Sequence, residues 1–199
     1  MTGPGGGPRG SWRNTTHDWA AEVDRDHLAL IRSGPCPGGA WHLVLEVVAY
    51  AADEAECRGG GRCTVAFHAD GSVSVADDGR GTDTRFDAGR PVRKPVMATK
   101  DLRFFDHPGA QLLPDGHPRR GMSVVAAFSP WLVHTNRRED SAWEQRYEHG
   151  VPVTGLTPLP RPRGTGTTVR FLPGMPLVVP ADPESAFAAW PWLTVEFHR

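Results

Sequence analysis

Residues 41–81, WHLVLEVVAYAADEAECRGGGRCTVAFHADGSVSVADDGRG, constrain the fold more than any other part of this 199-residue chain. In 41–57, Val44, Val47, Val48, Ala51, Ala52 and Ala55 recur at helical spacing and make an apolar stripe. In 64–68 and 72–77 the pattern changes to strict alternation, with Val65, Phe67, Val73 and Val75 available for one buried face. Asp70-Gly71 supplies the tight turn between the two strands. A helix with one apolar stripe and a hairpin with one apolar face must cover each other, which is the seed of a layered α+β structure.

The second strand runs straight into Asp77-Asp78-Gly79-Arg80-Gly81. Two carboxylates therefore stand at a strand end beside two glycines, whose missing side chains let a flat ligand or another backbone approach closely. An acceptor carboxylate placed there could read an exocyclic amine, so the arrangement points to a nucleotide site. Taken alone, the same five residues are equally good turn chemistry. On the helix, Glu46, Tyr50 and Asp53 share a second face at i, i+4 and i+7. A glutamate near the start of an apolar helix is a solvated or capping residue, or a general base if it faces a pocket.

These residues resemble the ATPase domain of gyrase B and its topoisomerase IV counterpart, within the GHKL (Bergerat-fold) ATPases. The family's first helix, approximately FEVVDNAIDEA, is answered by Leu45-Glu46-Val47-Val48-Ala49-Tyr50-Ala51-Ala52-Asp53-Glu54-Ala55, and its HADNSVSVQDDGRG by residues 68–81. Tyr147-Glu148-His149-Gly150-Val151-Pro152 matches the family's YEHGVP, and residues 165–171 match its TGTMVRF. Four ordered blocks between about residue 42 and residue 173 carry the likeness. The resemblance implies that Glu46 is the general base and that Asp77 bonds the adenine amine. It further implies that Gly81, with Gly79 beside it, admits the base, that Thr165 supports the pocket, and that Glu54 and Arg80 form a pocket-wall ion pair. The implied ligands are ATP or ADP.

Two parts of the family pattern are altered. Where the family carries an asparagine that holds Mg²⁺, this chain has Tyr50. A phenol is a poor ligand for a metal that demands hard oxygen donors in octahedral geometry, so no metal-binding residue is assigned. The family's GLHGVG phosphate loop is replaced by Gly116-His117-Pro118-Arg119-Arg120-Gly121, with 122–129 following as a helix. Pro118 removes one N–H donor. Arg119 and Arg120, with Gly121, either replace lost phosphate donors or stand solvated on an exposed loop, and the solvated reading is slightly favoured. Lys100-Asp101-Leu102-Arg103-Phe104 echoes a family lysine–phenylalanine pair without its glycines. Thr82-Asp83 replaces an apolar pair that packs on adenine in the family.

Length and composition limit the remaining possibilities. A chain of this size is expected to form one domain over 18–199 after a flexible Gly- and Pro-rich segment, 1–17, with a lid over 83–120. It has no room for the other domains of a gyrase B protein, which excludes topoisomerase activity by this polypeptide alone. The net charge of −1 offers no bulk attraction for nucleic acid, and the basic pairs at Arg93-Lys94, Arg119-Arg120, Arg137-Arg138 and residues 161–163 are small and scattered. Cys36, Cys57 and Cys63 form neither a disulfide framework nor a zinc motif. Without a signal peptide or an apolar run of ~20 residues, cytoplasmic placement is expected. The family's RPGMYIG segment survives only as Arg32-Ser33-Gly34-Pro35, so a monomer is expected rather than an ATP-driven dimer.

The expected fold is a two-layer α+β sandwich, a mixed β-sheet with helices on one face. Strands are expected over 131–138, 142–149, 167–172 and 193–197, and a short helix over 184–189. Trp131, Trp190 and Trp192 are expected in core or rim packing, and His68 and His149 at ordinary strand positions. Three functional readings follow. The first is an adenine-nucleotide-binding module with impaired hydrolysis, which is favoured. The second is a nucleotide-free pseudoenzyme, its pocket filled by Tyr50, that acts on a protein partner. The third is an active Mg²⁺-dependent ATPase.

Overall fold

The computed structural model describes residues 17–19, 23, 25–82, 85–87, 90–92, 99–101, 111–160 and 164–198. In chain order the elements are β1 (His17–Trp19), α1 (Arg25–Ser33), α2 (Gly39–Arg58), β2 (Gly61–Phe67), β3 (Val73–Asp77), β4 (Arg85–Asp87), β5 (Arg90–Val92) and β6 (Thr99–Asp101). There follow α3 (Met122–Ala127), β7 (Trp131–Arg137), β8 (Ala142–Glu148), β9 (Val151–Pro152), β10 (Thr157–Pro158), β11 (Gly166–Leu172), α4 (Pro183–Phe187) and β12 (Leu193–His198). Parts of the N-terminal segment and lid, the Arg93-Lys94 and Arg161 to Arg163 clusters, and Leu102-Arg103-Phe104 lie outside the described residues.

Helix α2 is bounded by glycines at both ends. Gly38 and Gly59 each adopt φ 74°, and the N–H of Gly59 returns to the carbonyls of Ala55 and Glu56, closing the last turn. The apolar stripe read from the sequence is narrower than the buried surface. Trp41, Leu43, Leu45 and Ala49 are buried as well, and α3 packs against α2. Glu46 is completely buried, with the Arg120 and Gly121 N–H groups and His42 against its carboxylate.

The main sheet runs β10-β8-β7-β11-β3-β2-β12, with β9 on β8. Its neighbours are antiparallel except β12, which lies parallel to β2 and makes the sheet mixed. The helices pack on the face bearing Val65, Val73, Val75, Leu132, Tyr147, Val169 and Phe171, as the expected two-layer sandwich requires.

Register turns this face into graded rows. One row, Phe67, Val73, Phe171, Leu132 and Tyr147, is apolar from β2 to β8. The next, Val65, Val75, Val169, His134 and Gln145, becomes polar towards β8. The third pairs Cys63 with Asp77 and Thr167 with Asn136. Polarity therefore rises towards the end where β3 leaves the sheet. Buried polar groups need partners, so this end is where a ligand or a side-chain network must supply them.

Several local expectations change. Helix α1, which buries His27, Leu28 and Ile31 on one face, was not read from the sequence, and the two-residue β9 and β10 strands are too short to show an alternation. His149 is not in a strand: it sits at φ 46° in the turn after β8. Trp192 is 52% exposed, whereas Trp41 is buried with its ring 6.1 Å from that of Phe187. The last helix ends at Phe187, with Asp182 accepting from the Ser185 N–H as its cap.

Candidate functional site

The site lies where the end of β3, the polar face of α2 and the segment leading into α3 converge. Asp77 closes β3 and is half-buried. Its Oδ1 accepts from the Gly79 N–H at 2.8 Å and the Thr167 N–H at 3.2 Å. Among the described residues no donor is bonded to Oδ2. Burial raises the pKa of Asp77, and the nearby Glu54 and Asp78 charges add to that, while the two N–H bonds oppose it. The neighbouring Asp78 faces elsewhere: its Oδ1 accepts from the Arg62 N–H at 2.9 Å. The two carboxylates that the sequence left equivalent are thus separated by geometry.

Glycines press the backbone around Asp77. A Cβ on Gly79 would stand 2.8 Å from Asp77 Oδ1 and 2.7 Å from Glu54 Cγ. Gly81, at φ 77°, faces protein: a Cβ there would overlap the Arg137 carbonyl and come within 2.7 Å of Asn136 Oδ1. Gly166 sits at φ 134°, where a Cβ would overlap the Asp77 carbonyl. Thr165, half-buried, immediately precedes β11, whose Thr167 N–H holds Asp77. Asn136 fixes the chain beyond Gly81, accepting from the Thr82 N–H at 2.7 Å and donating to its carbonyl at 2.9 Å.

The ion pair expected between Glu54 and Arg80 is present. Arg80 Nε and Nη2 donate to the two Glu54 oxygens at 2.7 and 3.0 Å, and the Arg80 N–H donates to Oε1 at 3.1 Å. This fork ties the hairpin end to α2 and holds the Glu54 carboxyl below its ordinary pKa. It is largely open to water on the arginine side, so it positions more than it stabilises.

At the other end, the segment before α3 closes on Glu46. The backbone N–H groups of Arg120 and Gly121 both donate to the Glu46 carboxylate, the latter at 2.8 Å. His42, one turn earlier on α2, lies with Nε2 3.1 Å from Glu46 Oε1, while its Nδ1 is 2.7 Å from Asp115 Oδ2. Burial would lower the pKa of His42, but the Asp115 and Glu46 carboxylates outweigh it and hold the imidazolium to about pH 9. Asp115 is correspondingly held below its ordinary range by His42. The chain Asp115–His42–Glu46 was not recognised from sequence. The i, i+4 spacing of His42 and Glu46 was its one readable sign, and Asp115 gave none.

The solvated reading of the arginine loop is overturned for Arg119, which is only 3% exposed. Its Nη1 and Nη2 reach Asp53 at 2.9 and 2.7 Å, and Nη1 also reaches Gln111 at 3.1 Å. The guanidinium lies over the Tyr50 ring, 4.8 Å from its centre. Burial follows from that pairing: a guanidinium leaves water only where a carboxylate and a π-face replace it. The Met122 N–H is 3.4 Å from the Tyr50 hydroxyl.

A divalent cation does not fit this end. The space beside Tyr50 already holds a guanidinium, and the Glu46 carboxylate is committed to two N–H donors and His42. Among the described residues no group of three or more His, Cys, Asp or Glu could hold a metal ion. Nor is any described helix long and apolar enough to cross a membrane.

No family model matches the chain. It is 34% identical over 137 residues to the B subunit of DNA topoisomerase 4 from Bacillus subtilis, covering 68% of this chain and 21% of that protein. It is 37% identical over 162 residues to the B subunit of DNA gyrase from Haloferax volcanii, covering 76% of this chain and 25% of that one. The chain thus spans about a fifth to a quarter of the length of these relatives. Among solved structures it is similar to the topoisomerase IV ATP-binding domain of Francisella tularensis, with a TM-score of 0.60 and 22% identity over 78% of this chain and 79% of that one. That likeness establishes a shared fold.

Proposed function

From the premise that this chain is a divergent relative of the gyrase and topoisomerase IV B subunits, with the fold of their ATP-binding domain, we propose that it binds adenine nucleotides and hydrolyses them poorly or not at all. The observation that carries the proposal is Asp77. Its Oδ1 is clamped by two backbone N–H groups, which leaves Oδ2 as an acceptor for an exocyclic amine. Gly79 lets the backbone close on that carboxylate, Gly166 lets β11 close on the Asp77 carbonyl, and Thr165 immediately precedes β11. Glu54 and Arg80 brace the rim.

Impaired hydrolysis rests on the opposite end. A general base must reach a water molecule, whereas Glu46 is fully buried and bonded to the Arg120 and Gly121 N–H groups and beside His42. Tyr50 and Arg119 fill the place where the family's metal would stand. The matched region is about a fifth to a quarter of these relatives, so no topoisomerase activity is assigned to this segment.

The test is an ADP titration followed by thermal melting, with wild type and Asp77→Asn compared. ADP should raise the melting temperature of the wild type. It should leave the variant without a shift, although the substituted amide oxygen can still accept from the Gly79 and Thr167 N–H groups. An equal rise in both would refute the assignment of Asp77. Phosphate release that requires Mg²⁺ and vanishes in Glu46→Ala would instead favour the active-ATPase reading.

A further inference from the structure

We infer that this site holds its ligand by the nucleoside half, and that added phosphates contribute no affinity because the chain's own charges occupy their place. The inference rests on the adenine-binding reading of Asp77. Helix α2 sets the distances. Glu54, joined to Arg80 beside the Asp77 end, stands eight residues from Glu46, or about 12 Å along the helix at 1.5 Å per residue. A ligand whose base is read by Asp77 and whose tail runs along α2 meets Asp53, then Tyr50, then Glu46.

Among the described residues, three groups along that path that could receive an anion already face a carboxylate. The Arg119 guanidinium is engaged by Asp53 through two bonds and is stacked on Tyr50. The N–H groups of Arg120 and Gly121 both point at the Glu46 carboxylate. His42, the buried cation nearest to Glu46, is flanked by Glu46 on one nitrogen and Asp115 on the other. A phosphate entering here must displace a carboxylate from its donors and then lie beside that displaced charge. What it gains from the N–H groups and the guanidinium, Glu46 and Asp53 lose. An uncharged tail avoids this exchange, because the ribose can stop short of Tyr50.

This arrangement also explains why Arg119 is buried. An arginine meant to recruit phosphate needs an open face, whereas here one face lies against the Tyr50 ring and the fork is closed by Asp53 and Gln111. The glutamate performs for the loop what a bound phosphate would, satisfying adjacent N–H donors with two oxygens.

The experiment is calorimetric titration of the full chain with adenosine, AMP, ADP and ATP, each with and without Mg²⁺, repeated on Glu46→Gln and Asp53→Asn. The expected wild-type result is a set of dissociation constants within about threefold of one another, unaffected by the metal. Removing either charge should raise the affinity for ATP relative to adenosine by about tenfold, the worth of one charge-assisted contact. Asp53 is half-exposed, so its variant serves if Glu46→Gln does not fold. ATP binding tenfold or more tighter than adenosine in the wild type would overturn the inference and leave the reading of Asp77 intact. An unchanged ratio in both variants would overturn it too. No binding of any of the four ligands would defeat the Asp77 reading itself, and the inference with it.

Discussion

His42 gives the fold a specific alkaline weakness. In the unfolded chain its imidazole titrates at its ordinary 6.5, whereas in the folded chain the Asp115 and Glu46 carboxylates hold the proton to about pH 9. A group whose folded pKa is raised contributes fully below its unfolded pKa, and its contribution falls as pH climbs to the folded value. The loss therefore belongs to the window from about 6.5 to about 9. Over the interval from pH 6.5 to about 8.5, linkage gives a decline of about 2 kcal/mol, which for a chain of this length is about 4–8 °C in melting temperature. Above that range, burial raises the thiols of Cys36, to about 11, and Cys63 above their ordinary value, so they add losses of their own and blur the signal. The assay is urea or thermal unfolding at half-unit steps through the window, on the wild type and His42→Gln. The wild type should lose stability steadily and the variant should be nearly flat. A flat wild-type profile, or the same slope in both proteins, would refute the buried Asp115–His42–Glu46 chain.

Other consequences are local. Gly166→Ala places a methyl group into the Asp77 carbonyl at φ 134°, and should cost about 3 kcal/mol or more, read as a lower urea midpoint; a loss under ~1 kcal/mol would mean that the approach is looser than described. Asp53→Ala strips the carboxylate from a buried guanidinium that keeps Gln111, and should cost about 2 kcal/mol in chemical unfolding, whereas a neutral effect would show that Arg119 moves into solvent. Tyr50→Asn removes the ring beneath Arg119 and introduces an amide oxygen. ATP binding should become Mg²⁺-dependent by about tenfold in calorimetry, and unchanged metal independence would show that Tyr50 is not the obstacle.

The sheet hairpin and the position of Asp77 at its end were legible because they are written locally. The alternation in β2 and β3, the Asp70-Gly71 turn and the run into Asp77 are all short-range patterns; β3 and the turn fell within a residue of their expected place, while β2 begins three residues earlier than expected. The role of Gly81 was only partly legible. Its backbone is pressed against Arg137 and Asn136 on β7, residues more than fifty positions away in sequence. The phosphate end was misread for the same reason. Two arginines in a Pro- and Gly-rich loop look solvated in sequence, and nothing local reveals that Asp53 and Tyr50, on a helix far earlier in the chain, wait to bury one of them. Glu46 posed the reverse problem. Its position on an apolar helix signalled importance, but whether it activates water or satisfies N–H donors depends on where residues 115–121 return to α2.

The central claim, a chain that reads adenine while its phosphate end is closed by its own side chains, is tested most directly by calorimetric titration of the wild type with ADP and ATP, each with and without Mg²⁺. The account predicts that both nucleotides bind, with similar affinity and no dependence on the metal. Tightening of ATP by Mg²⁺ would contradict the closed phosphate end, and absence of binding by either nucleotide would contradict the adenine site.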